Sequence, residues 1–369
     1  MNDEEFLHLA FDLAEIAEGD TSPNPLVGAV VVRDGDIVGR GYHRRFGGPH
    51  AEVFALDEAG ERAEGATLYV TLEPCGHFGK TPPCAERIIE AGIVRVVASI
   101  EDPNPLVSGR GLATLRAAGI DVEVGRLRDV AIRQNEIFLK YIQTGTPFVH
   151  LKLATSLDGR IATRTGDARW ISGQPAQVLV HRWRRRHAAV LVGIGTVLAD
   201  DPQLTVRHVV GRQPVPIVLD ARGRLPLTAR LLAGDRRPIV AAARVDPPRR
   251  VELESAGCRV WELPSEGGGV DLTSLLTQLG GAGIDSVLVE GGGETAASLL
   301  AARLVDRVSF IIAPIVIGGR VAVPAVGGAG IDRLAEAVAL GDVTSEWVGS
   351  DLVYSGLVRR GVEPWLPRT

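Results

Sequence analysis

The chain has 369 residues, 45% of them apolar and 23% charged. That composition is ordinary for a globular protein and excludes a disordered or fibrous one, and the length suggests two domains. Lys and Arg total 40 against 45 Asp and Glu, a net charge of −5, which gives no electrostatic case for nucleic acid as a partner. No uninterrupted apolar run reaches the roughly 18 residues of a membrane span. The acidic N-terminus lacks the basic region of a signal peptide. Three cysteines, Cys75, Cys84 and Cys258, do not make a disulfide framework and point to a reducing cytoplasm.

The chain opens with an amphipathic helix whose stripe is Phe6, Leu9, Ala10, Leu13, Ile16 and Ala17. Two β-branched runs follow, Val27 to Arg33 and Ile37 to Tyr42, with the turn pair Asp34-Gly35 between them. Then come a helix from His50 to Ala59, a strand at 67–71, a helix at 84–91, a strand at 95–100, a helix at 109–118 and a strand at 121–124. A single helix is expected from Val130 to Tyr141. This alternation predicts a three-layer α/β sandwich. Gln143 to Pro147 is a run of turn-prone residues, so the boundary is expected near residue 145, with domains 1–145 and 146–369. The second half predicts strands at 149–154, 189–193, 216–219, 238–242, 259–262, 286–290, 307–313 and 351–358, with helices between several of them.

Three elements of the first half carry chemistry: His50-Ala51-Glu52, Pro74-Cys75 and Pro82-Pro83-Cys84. One imidazole and two thiolates fill three corners of a tetrahedral zinc site and leave the fourth for water. Cys84 opens a helix, where a thiolate is favoured. Glu52 is placed to reach that water as a proton shuttle, the layout of zinc-dependent deaminases. A structural zinc would bring a fourth protein ligand, for which His77 is the candidate.

The strings TSPNPLVGAVVV, HAEVFAL, TLEPCGHFGKTPPC and EDPNPLVSGRG resemble the deaminase half of the bifunctional riboflavin-biosynthesis deaminase/reductases. The eight residues between the cysteines follow that family rather than the cytidine or tRNA deaminases. The resemblance implies a cytidine-deaminase-like α/β/α domain. It implies His50, Cys75 and Cys84 as zinc ligands and Glu52 as the catalytic proton shuttle. It also implies Asn24, His43, His77, Lys80 and Asn104 as residues around a pyrimidine and its ribose phosphate. The chemistry agrees: an Asn amide both donates and accepts, as a heterocycle edge requires, and Lys meets phosphate as a point charge.

In the second half, Ala189 to Thr196 reads as a strand entering a Gly-bearing turn, and Val287 to Ala296 as a strand, a triple-Gly turn and a helix start. Such turns admit phosphate against backbone N–H groups, although neither has ordinary Rossmann spacing. HLKLATSLDGRIA, RWIS, VGIGTVLADDPQLTVR and LVEGGGETAASLL are similar to the reductase half of the same family. That similarity implies a dihydrofolate-reductase-like α/β domain that uses NADPH. By position, Ala154, Trp170, Thr196, Asp200 and the turn Gly291, Gly292, Gly293, Glu294 and Thr295 would lie along NADPH. Ala168, Arg184, Leu204, Arg207 and Glu290 would face the substrate, with Lys152 and Glu290 serving the chemistry. Arg184 and Arg207 suit a phosphate because a guanidinium binds it bidentately. Cys258 reads as a buried apolar residue.

The expected activity is deamination of 2,5-diamino-6-(5-phosphoribosylamino)pyrimidin-4-one to 5-amino-6-(5-phosphoribosylamino)uracil, then reduction of the ribosyl group to ribityl. The expected partners are these small phosphoribosyl pyrimidines, with neither nucleic acid nor membrane, and a second copy of the chain held through the reductase half. A nucleoside or tRNA deaminase fused to another oxidoreductase, and a non-catalytic sensor with structural zinc, are the competing readings.

Overall fold

The computed structural model describes residues 1–76, 83–104 and 107–359. The chain divides into two compact units, Met1–Thr144 and a second beginning at Gly145.

The first unit comprises α1 (Asp3–Glu15), β1 (Gly28–Arg33), β2 (Asp36–Tyr42), α2 (Ala51–Ala59), β3 (Thr67–Val70), α3 (Cys84–Glu90), β4 (Arg95–Ala98), α4 (Arg110–Ala117), β5 (Asp121–Val124), α5 (Arg128–Gln134) and α6 (Glu136–Thr144). A capping box between Asn2 and Glu5 starts α1. The sheet order is β2-β1-β3-β4-β5. The β1–β2 and β1–β3 pairs are antiparallel, β3–β4 and β4–β5 parallel. Asp34 and Gly35 both have positive φ, as the hairpin turn requires.

Helices cover both faces of this sheet, and glycines show how closely. A Cβ at Gly28 would fall 1.8 Å from the Ala10 carbonyl oxygen of α1. A Cβ at Gly41 would fall 2.1 Å from the Ala51 oxygen of α2. Gly41 pairs with Ala29, the neighbour of Gly28, and neighbours along a strand point to opposite faces. Thus α1 and α2 lie on opposite sides.

The expected single helix over 130–141 is two, broken at Asn135. The Asn135 side chain accepts from the Leu26 N–H at 2.8 Å and donates to the Leu26 carbonyl at 2.9 Å. Asn is a weak helix former because its amide competes for backbone groups, and here it clamps the chain just before β1.

The second unit contains β6 (Phe148–Ser156), β7 (Arg160–Ala162), α7 (Gln174–Arg186), β8 (Ala189–Gly193), α8 (Ile194–Asp200), β9 (Val215–Leu219), β10 (Ile239–Ala242), α9 (Pro247–Ser255), β11 (Arg259–Glu262), β12 (Ser265–Glu266), β13 (Gly269–Val270), α10 (Leu272–Gly281), β14 (Ser286–Val289), α11 (Gly293–Ala301), β15 (Arg307–Ala313), β16 (Val323–Pro324), β17 (Leu340–Val348) and β18 (Asp351–Val358). Nine strands form one sheet in the order β11-β10-β9-β8-β14-β6-β15-β18-β17. It is parallel from β11 to β15 and antiparallel at β18 and β17. Both faces of the parallel part are covered: Leu191, Val287 and Val289 join one core cluster, Val190, Val192 and Leu288 another. Cys258 is fully buried in the latter, as expected. No helix among the described residues is long and apolar enough to cross a membrane.

Candidate active sites

In the first unit, three backbone segments deliver three soft donors to one point. His50 is the N-cap residue of α2, Cys75 lies in the loop after β3, and Cys84 is the first residue of α3. Their ligand atoms lie within 4.8 Å of one another. His50 Nδ1 is 3.2 Å from Cys84 Sγ and 3.5 Å from Cys75 Sγ, and the Cys84 N–H donates to Cys75 Sγ at 3.3 Å. The Cys84 thiol and His50 together hold the Cys75 thiol down at about 4, which favours its thiolate form. The same hydrogen bonding to Cys75 pushes His50 up to about 9.

Glu52, in the first turn of α2, is 3% exposed, and its Oε2 is buried without a hydrogen-bond partner. Burial raises its pKa, which suits a group that must both take and return a proton. A buried, unsatisfied carboxylate oxygen beside a His/Cys/Cys cluster fits a zinc site with a water-sized fourth position. Among the described residues no other group of three such donors comes together.

A cavity of about 360 Å³ opens onto this centre and is lined by Asn24, His43, His50, Glu52, Cys75 and Asn104. His43 Nδ1 donates to the Pro49 carbonyl at 2.9 Å, so Nε2 accepts from the Asn24 amide at 3.1 Å. Burial lowers the His43 pKa and keeps the ring neutral. His77 and Lys80 lie outside the described residues.

Sequence reasoning missed two carboxylates that line the same cavity, Glu73 and Asp102. Glu73 accepts from the backbone N–H groups of Asp102, Gly109 and Gly111 at 3.1, 2.9 and 3.0 Å, and of Leu112 at 3.4 Å. It ties the strand-end segment that carries Cys75 to the segment that carries Asn104. Burial pushes Asp102 up to about 7. Their signal lay in the strings TLEPC and EDPNP, beside Cys75 and Asn104.

In the second unit, a cavity of about 700 Å³ sits at the carboxyl ends of the parallel strands, where open α/β sheets bind ligands. Lys152, Ala154, Ala168, Trp170, Arg184, Thr196, Asp200, Leu204, Arg207, Glu290, Gly291 and Gly292 all line it. Trp170 is 73% exposed, so it is a wall of the cavity rather than core. Gly293, Glu294 and Thr295 stand behind the wall. The Gly293 carbonyl accepts from the Gly327 N–H, and Glu294 Oε1 from the Gly328 N–H. A Cβ at Gly193 would fall 2.7 Å from Thr295 Oγ1, so the two Gly-bearing turns pack directly together.

At the cavity floor Glu290 receives the Arg184 guanidinium on both oxygens, Nε to Oε1 at 2.6 Å and Nη2 to Oε2 at 3.0 Å. Arg184 Nη1 donates to the Thr205 carbonyl at 3.0 Å. Lys152 Nζ lies 3.8 Å from Glu290 Oε2. Burial opposes ionisation of Glu290, but Arg184 and Lys152 outweigh it and hold its pKa at about 2. Burial lowers Lys152, with Glu290 in opposition. The Arg184 fork, expected at a phosphate, is here occupied by Glu290. His181, His208 and Arg230 also line this cavity and were not singled out in the sequence.

Residues 147–354 match the model of the RibD C-terminal domain, and residues 1–100 that of the cytidine and deoxycytidylate deaminase zinc-binding region. The chain is 44% identical over 352 residues to the riboflavin biosynthesis protein RibD of Aquifex aeolicus, covering 95% of this chain and 97% of that one. The chain belongs to the RibD family. RibD of Escherichia coli K12 is 42% identical over 354 residues, with 91% and 94% covered. Among solved structures, RibD of Acinetobacter baumannii matches with a TM-score of 0.87 at 39% identity, covering 97% of this chain and 99% of that one. The diaminohydroxyphosphoribosylaminopyrimidine deaminase/5-amino-6-(5-phosphoribosylamino)uracil reductase of Thermotoga maritima matches with a TM-score of 0.85 at 38% identity and the same coverage. As a RibD-family member the chain is a bifunctional deaminase and reductase of riboflavin biosynthesis. Its N-terminal domain is deaminase-like and takes zinc, and its C-terminal domain is a RibD reductase that takes NADPH.

Proposed function

We propose that residues 1–145 deaminate 2,5-diamino-6-(5-phosphoribosylamino)pyrimidin-4-one and that residues 146–369 reduce the resulting 5-amino-6-(5-phosphoribosylamino)uracil to its ribityl form. The observation that carries the first step is the unpartnered, buried Glu52 Oε2 beside the convergent His50, Cys75 and Cys84. These three would hold zinc, which when bound polarises water for attack on the amino-bearing ring carbon. Glu52 takes one proton from the attacking water and passes it to the ring nitrogen, where it stays, then takes the second from the newly formed hydroxyl and gives it to the departing amine as ammonia. Asn24 and Asn104 meet the pyrimidine edge, with His43 holding Asn24, and His77 and Lys80 belong to the same set.

For the second step NADPH, when bound, would supply the hydride for C1′ of the ring-opened sugar. Ala154, Trp170, Thr196, Asp200 and the turn from Gly291 to Thr295 position the cofactor. Glu290, kept ionised by Arg184, stabilises the iminium, and Lys152 hydrogen-bonds the opened ribose. Ala168 and Leu204 shape the substrate side, and Arg207 meets the phosphate. The chain works in the cytoplasm as a homo-oligomer assembled through the second unit. Supporting the oligomer is the outer edge of the nine-stranded sheet, where β17 exposes Val343 and Trp347, the latter 72% exposed.

Glu52→Gln tests the division of labour. It should retain zinc, lose ammonia release by at least about a hundredfold, and leave NADPH oxidation on supplied aminouracil ribotide unchanged. A comparable fall in both activities in a folded protein would refute the assignment.

A further inference from the structure

With Arg184 forked onto Glu290 and its third nitrogen on the Thr205 carbonyl, the reductase cavity needs another cation for a phosphate. Arg169, also at the rim, donates to the Asp200 carbonyl and lies beside the Asp200 carboxylate. Two guanidiniums on the lining have no carboxylate. Arg207 is placed by its backbone N–H, which donates to His181 Nδ1 at 2.9 Å, and its Nη1 meets only the neutral Thr205 Oγ1 at 2.7 Å. Arg230 is placed by its backbone N–H, which donates to Asp201 Oδ1 at 2.8 Å. Its guanidinium has no hydrogen bond or ion pair among the described residues. Burial, with the nearby Arg184 and Arg230 guanidiniums, lowers the Arg207 pKa. His208 packs its ring edge-on against His181, with centroids 4.4 Å apart.

Two uncompensated guanidiniums facing one cavity suit a dianion, which each can grip through paired N–H groups. We propose that Arg230 joins Arg207 in holding the phosphate of the ribosyl substrate in the reductase cavity, while Arg184 serves as the partner of Glu290. This rests on the reductase reading of the second unit. The phosphates of NADPH offer the same chemistry, so the test separates the two sources.

Arg230→Gln and Arg230→Lys are assayed in the full-length, zinc-loaded chain with NADPH, on the aminouracil ribotide and on its dephosphorylated riboside. Arg230→Gln should raise KM for the ribotide about tenfold or more and leave kcat, KM for the riboside and KM for NADPH unchanged. Arg230→Lys, which keeps the charge without the fork, should fall between. Unchanged kcat on the riboside reports that the unit carrying the variant is folded. The proposal is overturned if Arg230→Gln preserves the preference for ribotide over riboside, or if KM for NADPH rises instead. A wild-type chain that cannot reduce the ribotide would remove the reductase reading and this assignment together.

Discussion

Arg184 and Glu290 illustrate how a buried ion pair acts mainly through what its loss leaves behind. Both side chains are nearly inaccessible, 11% and 9% exposed, so neither charge can be solvated if its partner is removed. Arg184→Met should therefore destabilise the second unit by about 3–5 kcal/mol. Glu290 would then hold its charge with Lys152 alone, or take up a proton. Adding Glu290→Gln to Arg184→Met should recover part of that loss, because the orphaned charge is gone. Urea denaturation of the single and double variants checks this; equal costs would show that packing, not charge, sets the penalty. The types of these residues were legible in the sequence, but their mutual pairing was not. Glu290 follows β14 and Arg184 sits in α7, more than a hundred residues apart, and local periodicity is silent about such contacts.

At the scale of elements, two of the second unit's buried imidazoles, His187 and His150, have a consequence for pH. His187, capping α7, donates from Nδ1 to the Trp183 carbonyl, and burial depresses its pKa to about 3. His150 on β6 packs against it with ring centroids 5.2 Å apart and is depressed in the same direction by burial. An unfolded histidine titrates near 6.5. Between that value and about 3 the unfolded chain binds protons that the folded chain refuses, so stability rises with pH through this window and is lost as pH falls through it. His187 contributes about 1.4 kcal/mol per pH unit there, and His150 acts in the same direction. His187→Asn should flatten the fall in stability of this unit between pH 6.5 and 5 by about one proton, measured by thermal melts at stepped pH. An unaltered slope would contradict neutral burial.

The elements themselves were largely readable. The hairpin at Asp34-Gly35, the helix beginning beside His50 and the parallel strands follow from turn chemistry and apolar runs. Two failures have physical reasons. The helix break at Asn135 comes from a tertiary clamp on Leu26, which no local propensity announces. The strand β17 was missed because most of its residues are exposed on a sheet edge, so it lacks the apolar alternation that marks a half-buried strand.

At the scale of the whole molecule, one polypeptide carries two cavities of different character, each lined from within its own unit. The zinc constellation was the most legible part of the site. Its chemistry demands particular residue types, and two of them, His50 and Cys84, stand at helix starts that turn signals reveal. The pocket walls were less so, since Glu73 and Arg230 owe their positions to loops packing across the fold. The central claim is that hydrolysis depends on the metal triad and reduction does not. The direct measurement is to strip zinc with a chelator and assay both reactions on the same preparation. Ammonia release from the diaminopyrimidinone ribotide should be lost and return with added Zn²⁺, while NADPH oxidation on the aminouracil ribotide continues throughout. Ammonia release that survives chelation, or a joint loss of both activities in a chain that remains folded, would contradict the account.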